Sequence, residues 1–343
     1  MTRSTRPETA EVAGPSRPAS RIWGILIGYG IALASLIWVF HDVAWAGLFA
    51  NLPAMNWWWV ALGIVLDIAS YCAQGWRWSL LLRARGRFSP FEAAEAIYCG
   101  LYVNEILPMR VGELVRTYLA ARRLKTPMAA VVSSIMVERF FDAVWLAVAI
   151  GTTILLVPLP GYIVKAEELL AGLVFAATAL FVYLVLRRER EAPARPESAR
   201  ITRKLERFLA QVGSGIRSIG LSRWFYAAFA VSSLVLTAQM FAFWSVMRGY
   251  GLTLSFWHGA VVLLIVHLGT LLPGAPSNLG TYQFFTVVGL MQFGVDKTLA
   301  SGFSMVVFLL LTIPLWALGF LAFGRSGLML RQVRSQLGTA ASP

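Results

Sequence analysis

Long apolar stretches are the feature that most constrains how this chain can fold. Six of them are long enough, at about 20 residues each, to cross a bilayer as helices; they occupy residues 22–40, 57–82, 128–157, 169–186, 224–247 and 299–323. Hydrophobic residues make up 58% of the 343 positions and charged residues only 14%, whereas soluble domains carry about 25% charge. The sequence therefore predicts an all-α polytopic membrane protein.

The first 20 residues are polar and rich in Pro and Ser, which predicts a disordered cytoplasmic tail before a single transmembrane domain at 21–343. A cleaved signal peptide is the alternative for the first apolar stretch, because Ala44-Trp45-Ala46 loosely resembles a cleavage site. The long polar tail favours a retained helix.

Two further apolar stretches are short and interrupted. Residues 91–107 and 112–123 flank one break, and residues 257–272 and 279–293 flank another. Two short helices around a break predict a re-entrant hairpin, which a bilayer tolerates only where protein or a cavity surrounds it. Full crossings are the alternative, and they leave the outer orientation unchanged. The predicted break residues are Pro108, Gly112, Pro273, Gly274, Pro276 and Gly280.

Each hairpin is preceded by one span and followed by one, which predicts two repeats, at about 56–157 and 223–324. The first hairpin opens from the cytoplasm and the second from outside, so the repeats are inverted. Inverted repeats with interrupted helices are typical of transporters whose site lies near the midplane. A membrane scaffold is the alternative.

The net charge of +13 follows the positive-inside rule and predicts cytoplasmic N- and C-termini. Nucleic acid is therefore not an expected partner. The basic loop 187–222 has the spacing of an amphipathic helix suited to an anionic leaflet. The alternative is that the positive charge of this loop only sets the orientation of the protein in the membrane and recognises no lipid.

Charged residues gather at the first hairpin and the span after it. Glu138 lies ten residues into that span, about 15 Å deep at 1.5 Å per residue, where an isolated charge costs about 2.5–3.5 kcal/mol. We therefore expect the acids and arginines to meet, including Asp67 from the second span. Glu113 or Glu138 is a candidate proton carrier, whereas His267 is expected to be an ordinary buried histidine.

Two interpretations of this cluster remain open. It is either a closed network that holds the hairpin, or a site whose arginines bind a lipid phosphate bidentately while its acids accept a cationic head group. The second hairpin adds uncharged polar groups. The candidate lipid-binding residues are Asn104, Glu105, Arg110, Glu113, Arg116, Glu138, Arg139, Asp142, Ser277, Asn278, Tyr282 and Gln283. No metal, nucleotide or nucleophile motif is apparent, so we expect neither a cofactor nor an enzyme.

Two motifs resemble a known family. The run N-x-x-L-P-x-R-x-G-E-x-x-R at 104–116, followed by E-R-x-x-D at 138–142, resembles the transmembrane family named after lysylphosphatidylglycerol synthase, the flippase-like domain of multiple peptide resistance factors. A second signature of the same family lies at the second hairpin break and is matched by Pro273, Pro276, Leu279 and Gly280. The sequence departs from it at Asn278 and Gln283, where the family often has Gly and Glu.

The resemblance covers about residues 23–323 and implies lipid translocation between leaflets of the bacterial inner membrane. The larger resistance factors carry a soluble aminoacyltransferase after the membrane part, and we expect this chain not to encode that reaction. Short members resemble proteins associated with hopanoid or glycolipid export. The alternatives are an accessory or scaffold protein of a lipid-synthesis pathway and a membrane enzyme acting on a lipid-linked phosphate. Membrane lipids with an anionic or zwitterionic head group are the expected partners, and a lipid-synthesis enzyme or further copies of the chain are additional candidates.

Overall fold

Helices form all the regular structure in the described part of the chain. The computed structural model describes residues 19–44, 51–107, 111–158, 161–186, 213–220, 222–270 and 275–327. Its α-helices are α1 (Ala19–Phe40), α2 (Trp57–Leu81), α3 (Pro90–Ile106), α4 (Gly112–Leu124), α5 (Met128–Leu156), α6 (Gly161–Leu186), α7 (Arg223–Gly249), α8 (Phe256–Gly269), α9 (Thr281–Met291) and α10 (Lys297–Arg325). Short 3-10 helices occupy Leu52–Ala54, Arg83–Arg85 and Pro276–Asn278, and residues 213–219 are helical.

Five of the six predicted spans match helices to within three residues at either end. Among the described residues, α5, α7 and α10 are long and apolar enough to cross a membrane by themselves. Helix α6 begins at Gly161, eight residues before the predicted span. Its first turns carry Lys165, Glu167 and Glu168, because a helix can continue through charged residues after its apolar stretch ends.

The predicted tail lies outside the described residues except for its last two positions, which begin α1. Most of the predicted basic helix in 187–222 also lies outside them. In its described part, Ile216 and Ile219 are buried against α2, α5 and α7. These two apolar side chains therefore face protein rather than a lipid leaflet.

Local sequence signals set the ends of the hairpin helices. Ser89 caps α3 through a capping box with Glu92, and Pro90 occupies the first helical position. Helix α3 ends where Leu107 becomes extended, the conformation favoured for a residue before proline. Helix α4 ends at Leu124, and the residue that caps it, Lys125, adopts a left-handed conformation with φ +50°.

The centre of the fold is the antiparallel pair α2 and α7. Their backbones approach closely at glycines, since a Cβ at Gly63 would lie 2.9 Å from the Ala242 carbonyl oxygen. At one end, Asn56 N donates a 2.9 Å hydrogen bond to the Gly249 oxygen. These contacts fix which faces of α2 and α7 meet.

Each predicted hairpin is an antiparallel helix pair. In the first, a Cβ added at Gly112 would overlap the Gly100 carbonyl oxygen, so α3 and α4 touch backbone to backbone. In the second, the ring of Phe285 on α9 covers Gly269 on α8. The two tips meet, because Ser277 Oγ donates a 3.5 Å hydrogen bond to the Glu105 carbonyl oxygen.

The remaining contacts follow a regular pattern. Helices α3 and α8 pack on α2 and α7, respectively, and α4 and α9 pack on α5 and α10. Helix α3 also packs on α10, and α8 packs on α5. Helix α1 lies beside α9 and α10, with the Ala32 carbonyl oxygen against Gly280.

Candidate functional site

Six charged side chains from three helices form a closed ring in which arginines and acids alternate. Each arginine contacts two acids, and each acid contacts two arginines. We call this set the charge ring. In order around it, the members are Arg77, Glu138, Arg116, Glu113, Arg139 and Asp142.

One half of the charge ring is buried. The side chains of Arg77, Glu138 and Arg116 are 2%, 1% and 6% exposed. Arg77 Nη2 donates to Glu138 Oε1 at 2.5 Å, and its Nη1 donates to Asp142 and to Ser232 Oγ, the latter at 3.2 Å. Arg116 Nη1 donates to Glu138 Oε2 at the longer distance of 3.3 Å. Arg77 is therefore the closer of the two arginines that compensate the buried charge of Glu138.

Arg116 is fixed from two directions. Its Nε donates a 2.7 Å hydrogen bond to Glu113 Oε2, one helical turn away. Its guanidinium lies 5.2 Å from the centre of the Trp78 ring, within the range of cation–π attraction. Trp78 Nε1 donates in turn to Ser134 Oγ at 3.0 Å. Apolar and polar contacts together hold this arginine in one position.

The other half of the charge ring is open. The side chains of Arg139, Asp142 and Glu113 are 56%, 37% and 31% exposed. Arg139 Nη2 donates to Glu113 Oε1 at 2.5 Å, whereas its contact with Asp142 Oδ2 is longer, at 3.5 Å. This longer contact leaves one edge of the Arg139 guanidinium weakly held.

Arg77, Arg139 and Asp142 also line a cavity of about 400 Å³, which we call the first cavity. Its other walls come from α7 and α8, including Gln239 and His267. The volume lies within the usual range for small-ligand sites. The three arginines and three carboxylates of the charge ring sum to zero charge.

A second cavity of about 150 Å³ adjoins the first, and Gln239 and His267 line both. It has a different character, because its walls include the carboxyl groups of Asp67 and Glu105 and no described arginine or lysine. Asp67 is 8% exposed. Its carboxyl makes no ion pair or hydrogen bond with a described residue.

Over residues 22–319, the chain matches the family described as the lysylphosphatidylglycerol synthase TM region. It belongs to that family. A search of curated proteins gave no match. Family membership, together with the apolar helices α5, α7 and α10, places the protein in a membrane. The resemblance found from the two motifs is thus confirmed.

Two of the residues predicted to bind lipid accept hydrogen bonds from backbone N–H groups at the hairpin breaks. Asn104 Oδ1 accepts a 2.6 Å hydrogen bond from Gly112 N at the start of α4. Gln283 Oε1 accepts a 2.7 Å hydrogen bond from Gly280 N at the start of α9. In each case a side-chain amide satisfies a glycine N–H that the broken helix leaves without an intrahelical partner.

The other predicted residues of the second hairpin lie around its tip. Ser277 and Tyr282 line the second cavity, while Ser277 and Asn278 both have positive φ, near +60° and +52°. Glu105 accepts a 2.9 Å hydrogen bond from Trp316 Nε1. Residues from both hairpins therefore border the second cavity.

Arg77 was not among the residues predicted for the site, and Asp67 does not pair with the described arginines. Asp67 was expected to pair with the arginines, but it lines the second cavity away from the described ones. Arg77, three turns further along α2, is the residue of α2 that joins the charge ring, where Asp67 was expected. The only sequence signal that could have identified Arg77 was its charge within an apolar stretch. Four predicted residues lie outside the described part of the chain: Pro108, Arg110, Pro273 and Gly274.

Proposed function

We propose that this family member moves a polar lipid between the leaflets of the inner membrane, with the head group held in the first cavity. The observation that carries the proposal is the open edge of the charge ring. Arg139 and Asp142 face a 400 Å³ cavity about 16–21 Å along α5. Charged groups at such depth are costly and usually mark a substrate path.

The packing pattern of the helices supports an inverted repeat. Exchanging α2 with α7, α3 with α8, α4 with α9 and α5 with α10 turns each packed pair among these eight helices into a packed pair. Thus α3 on α10 becomes α8 on α5, and the central pair α2 and α7 maps onto itself. Transporters with such repeats alternate access by rocking one repeat against the other. The first cavity is lined from both proposed repeats.

Contacts between helix ends support the proposed orientation. The basic ends group together, since Arg325 and Arg123 both contact Glu95 and Arg85 donates to Ser218 Oγ. The opposite ends meet through Lys297 Nζ and the His41 carbonyl oxygen. We assign the basic group to the cytoplasm, which also places both termini there.

Arg139 is the residue we assign to the lipid phosphate. Its 3.5 Å contact with Asp142 is the weakest in the open half of the charge ring. A phosphate that replaces Asp142 keeps Arg139 doubly paired, because the contact with Glu113 remains. Asp142 keeps its partner Arg77 and gains freedom to accept an amine or hydroxyl of the head group.

The test is lipid exchange in proteoliposomes that contain fluorescent phosphatidylglycerol or phosphatidylethanolamine, followed by quenching of the outer leaflet. We expect at least one of these two lipids to move between leaflets faster in vesicles with wild-type protein than in protein-free vesicles. Arg139→Gln should slow exchange about tenfold, the equivalent of 1.4 kcal/mol. Arg139→Lys should recover only part of the rate, because lysine lacks the bidentate fork.

Arg122→Gln is the matched control, because Arg122 is exposed at the end of α4 and lies outside both cavities. It should exchange lipid like wild type. If Arg139→Gln and Arg122→Gln behave alike while wild type is active, the charge ring is not the head-group site. If wild type exchanges no lipid, the accessory role in lipid synthesis becomes the better hypothesis. We expect exchanged lipid to keep its mass, since the proposal involves no chemical reaction.

A further inference from the structure

The second cavity holds a buried carboxyl group that the proposed lipid site does not use. Asp67 is 8% exposed and faces a 150 Å³ space. Its position differs from that of the acids in the charge ring, each of which contacts two arginines. Asp67 contacts none that the structure describes.

An ionised carboxylate without a partner is very costly to bury, and such a group usually becomes neutral instead. The groups facing Asp67 do not remove that cost. They are Tyr71 on its own helix, Tyr98 and Glu105 on α3, His267 on α8 and Tyr282 on α9. Helices α7 and α10 contribute only uncharged groups to this space, among them Gln239 and Thr312.

Glu113 and Glu138, the proton carriers considered from the sequence, are poor candidates by comparison. Protonating either one removes a carboxylate from two arginines at once. Protonating Asp67 breaks no described ion pair. The neutral state of Asp67 suits a closed, dry cavity, and the ionised state suits a cavity open to water.

We propose that Asp67 binds a proton from one side of the membrane and releases it to the other, coupling the proton gradient to lipid movement. This proposal rests on the proposed function. The two cavities adjoin at Gln239 and His267, so a head group entering the first changes the walls of the second. No bond other than that to the proton forms or breaks in this step.

The experiment uses the full chain in vesicles of phosphatidylethanolamine and phosphatidylglycerol with a pH difference across the membrane. One proton per lipid gives, at equilibrium, about a tenfold lipid asymmetry between leaflets for each pH unit. We expect that asymmetry for wild type and an even distribution for Asp67→Asn. The matched control Glu168→Gln, an exposed acid on α6, should retain the asymmetry.

Infrared difference spectroscopy supplies a readout that does not depend on transport. At neutral pH, wild type should show the carbonyl stretch of a protonated carboxylic acid, and Asp67→Asn should lack it. Loss of that band in a variant that remains folded and monodisperse assigns the proton to Asp67. Absence of the band in wild type would overturn the proposal.

The transport outcomes separate the two proposals. If wild type exchanges lipid but distributes it evenly under every pH difference, proton coupling is refuted while lipid movement stands. If the asymmetry follows a sodium gradient at equal pH, the carried ion is not a proton. If wild type moves no lipid at all, the proposed function fails, and proton-coupled lipid movement fails with it.

Discussion

Replacing Arg77 with glutamine tests whether the charge ring is a connected network. Arg77 joins two acids on α5 and is itself almost fully buried, with its side chain 2% exposed. After the change, Glu138 keeps only Arg116, at 3.3 Å or more. Asp142 keeps only Arg139, at 3.5 Å. Both acids therefore lose their closer arginine, and Glu138, whose side chain is 1% exposed, is the more buried of the two.

The expected loss of stability follows from burial. Removing one partner of a buried ion pair costs about 3–5 kcal/mol, because the other charge stays buried without compensation. The introduced glutamine amide keeps one possible hydrogen bond to Glu138, so we expect the lower end of that range, about 3 kcal/mol. Arg123→Gln is the matched control, since Arg123 also contacts two acids but its side chain is 32% exposed. Exposed pairs contribute only about 0–1 kcal/mol.

The assay is reversible unfolding in mixed micelles, which gives a free energy for each variant. Equal losses for Arg77→Gln and Arg123→Gln, both below about 1 kcal/mol, would refute the buried network. A double-mutant cycle with Glu138→Gln then isolates the pair. Because the second change removes the stranded charge, the double variant should be more stable than Arg77→Gln alone.

Two further predictions concern the hairpin and the orientation. Gly112→Ala places a Cβ onto a carbonyl oxygen of α3 and should cost about 1–3 kcal/mol or more in the same assay. The control Gly30→Ala lies within α1 with nothing within 4 Å and should stabilise the protein by up to about 1 kcal/mol, because alanine is the better helix former. Equal losses of stability would contradict the close backbone contact. In a cysteine-free background, an impermeant maleimide applied outside intact spheroplasts should label Arg248→Cys and leave Arg122→Cys unlabelled, whereas labelling of both would contradict the proposed orientation.

Apolar patterning predicted the helices well, because burial of an apolar stretch in lipid requires the backbone to satisfy its own hydrogen bonds. Helix α5 begins at Met128, directly after Pro127, as predicted, and α3 ends beside Pro108. Helix α6 was predicted eight residues too short because hydropathy reports lipid contact rather than helical structure. The hairpin helices were also recovered, since prolines and glycines mark their ends.

The candidate site was only partly predictable. Spacing along one helix placed Glu138, Arg139 and Asp142 together, because residues three or four positions apart share a face. Spacing cannot tell which residue of another helix faces them. Asp67 and Arg77 lie ten residues apart on α2, and either charge was a reasonable partner. Asn104 and Gln283 were predicted from their polarity as lipid-binding groups, whereas their hydrogen bonds to glycine N–H groups depend on how the hairpins fold.

The sequence by itself determined that this chain is helical, which family it belongs to and which charges lie at depth in apolar stretches. Tertiary structure decided how those charges are partnered. The rotation of α2 against its neighbours is set by close backbone contacts, such as Gly75 against Ala94 on α3. That rotation turns Arg77 towards α5 and leaves Asp67 beside the hairpin tips. The physical reason is that hydropathy and spacing act within one segment, whereas pairing depends on how separate helices pack.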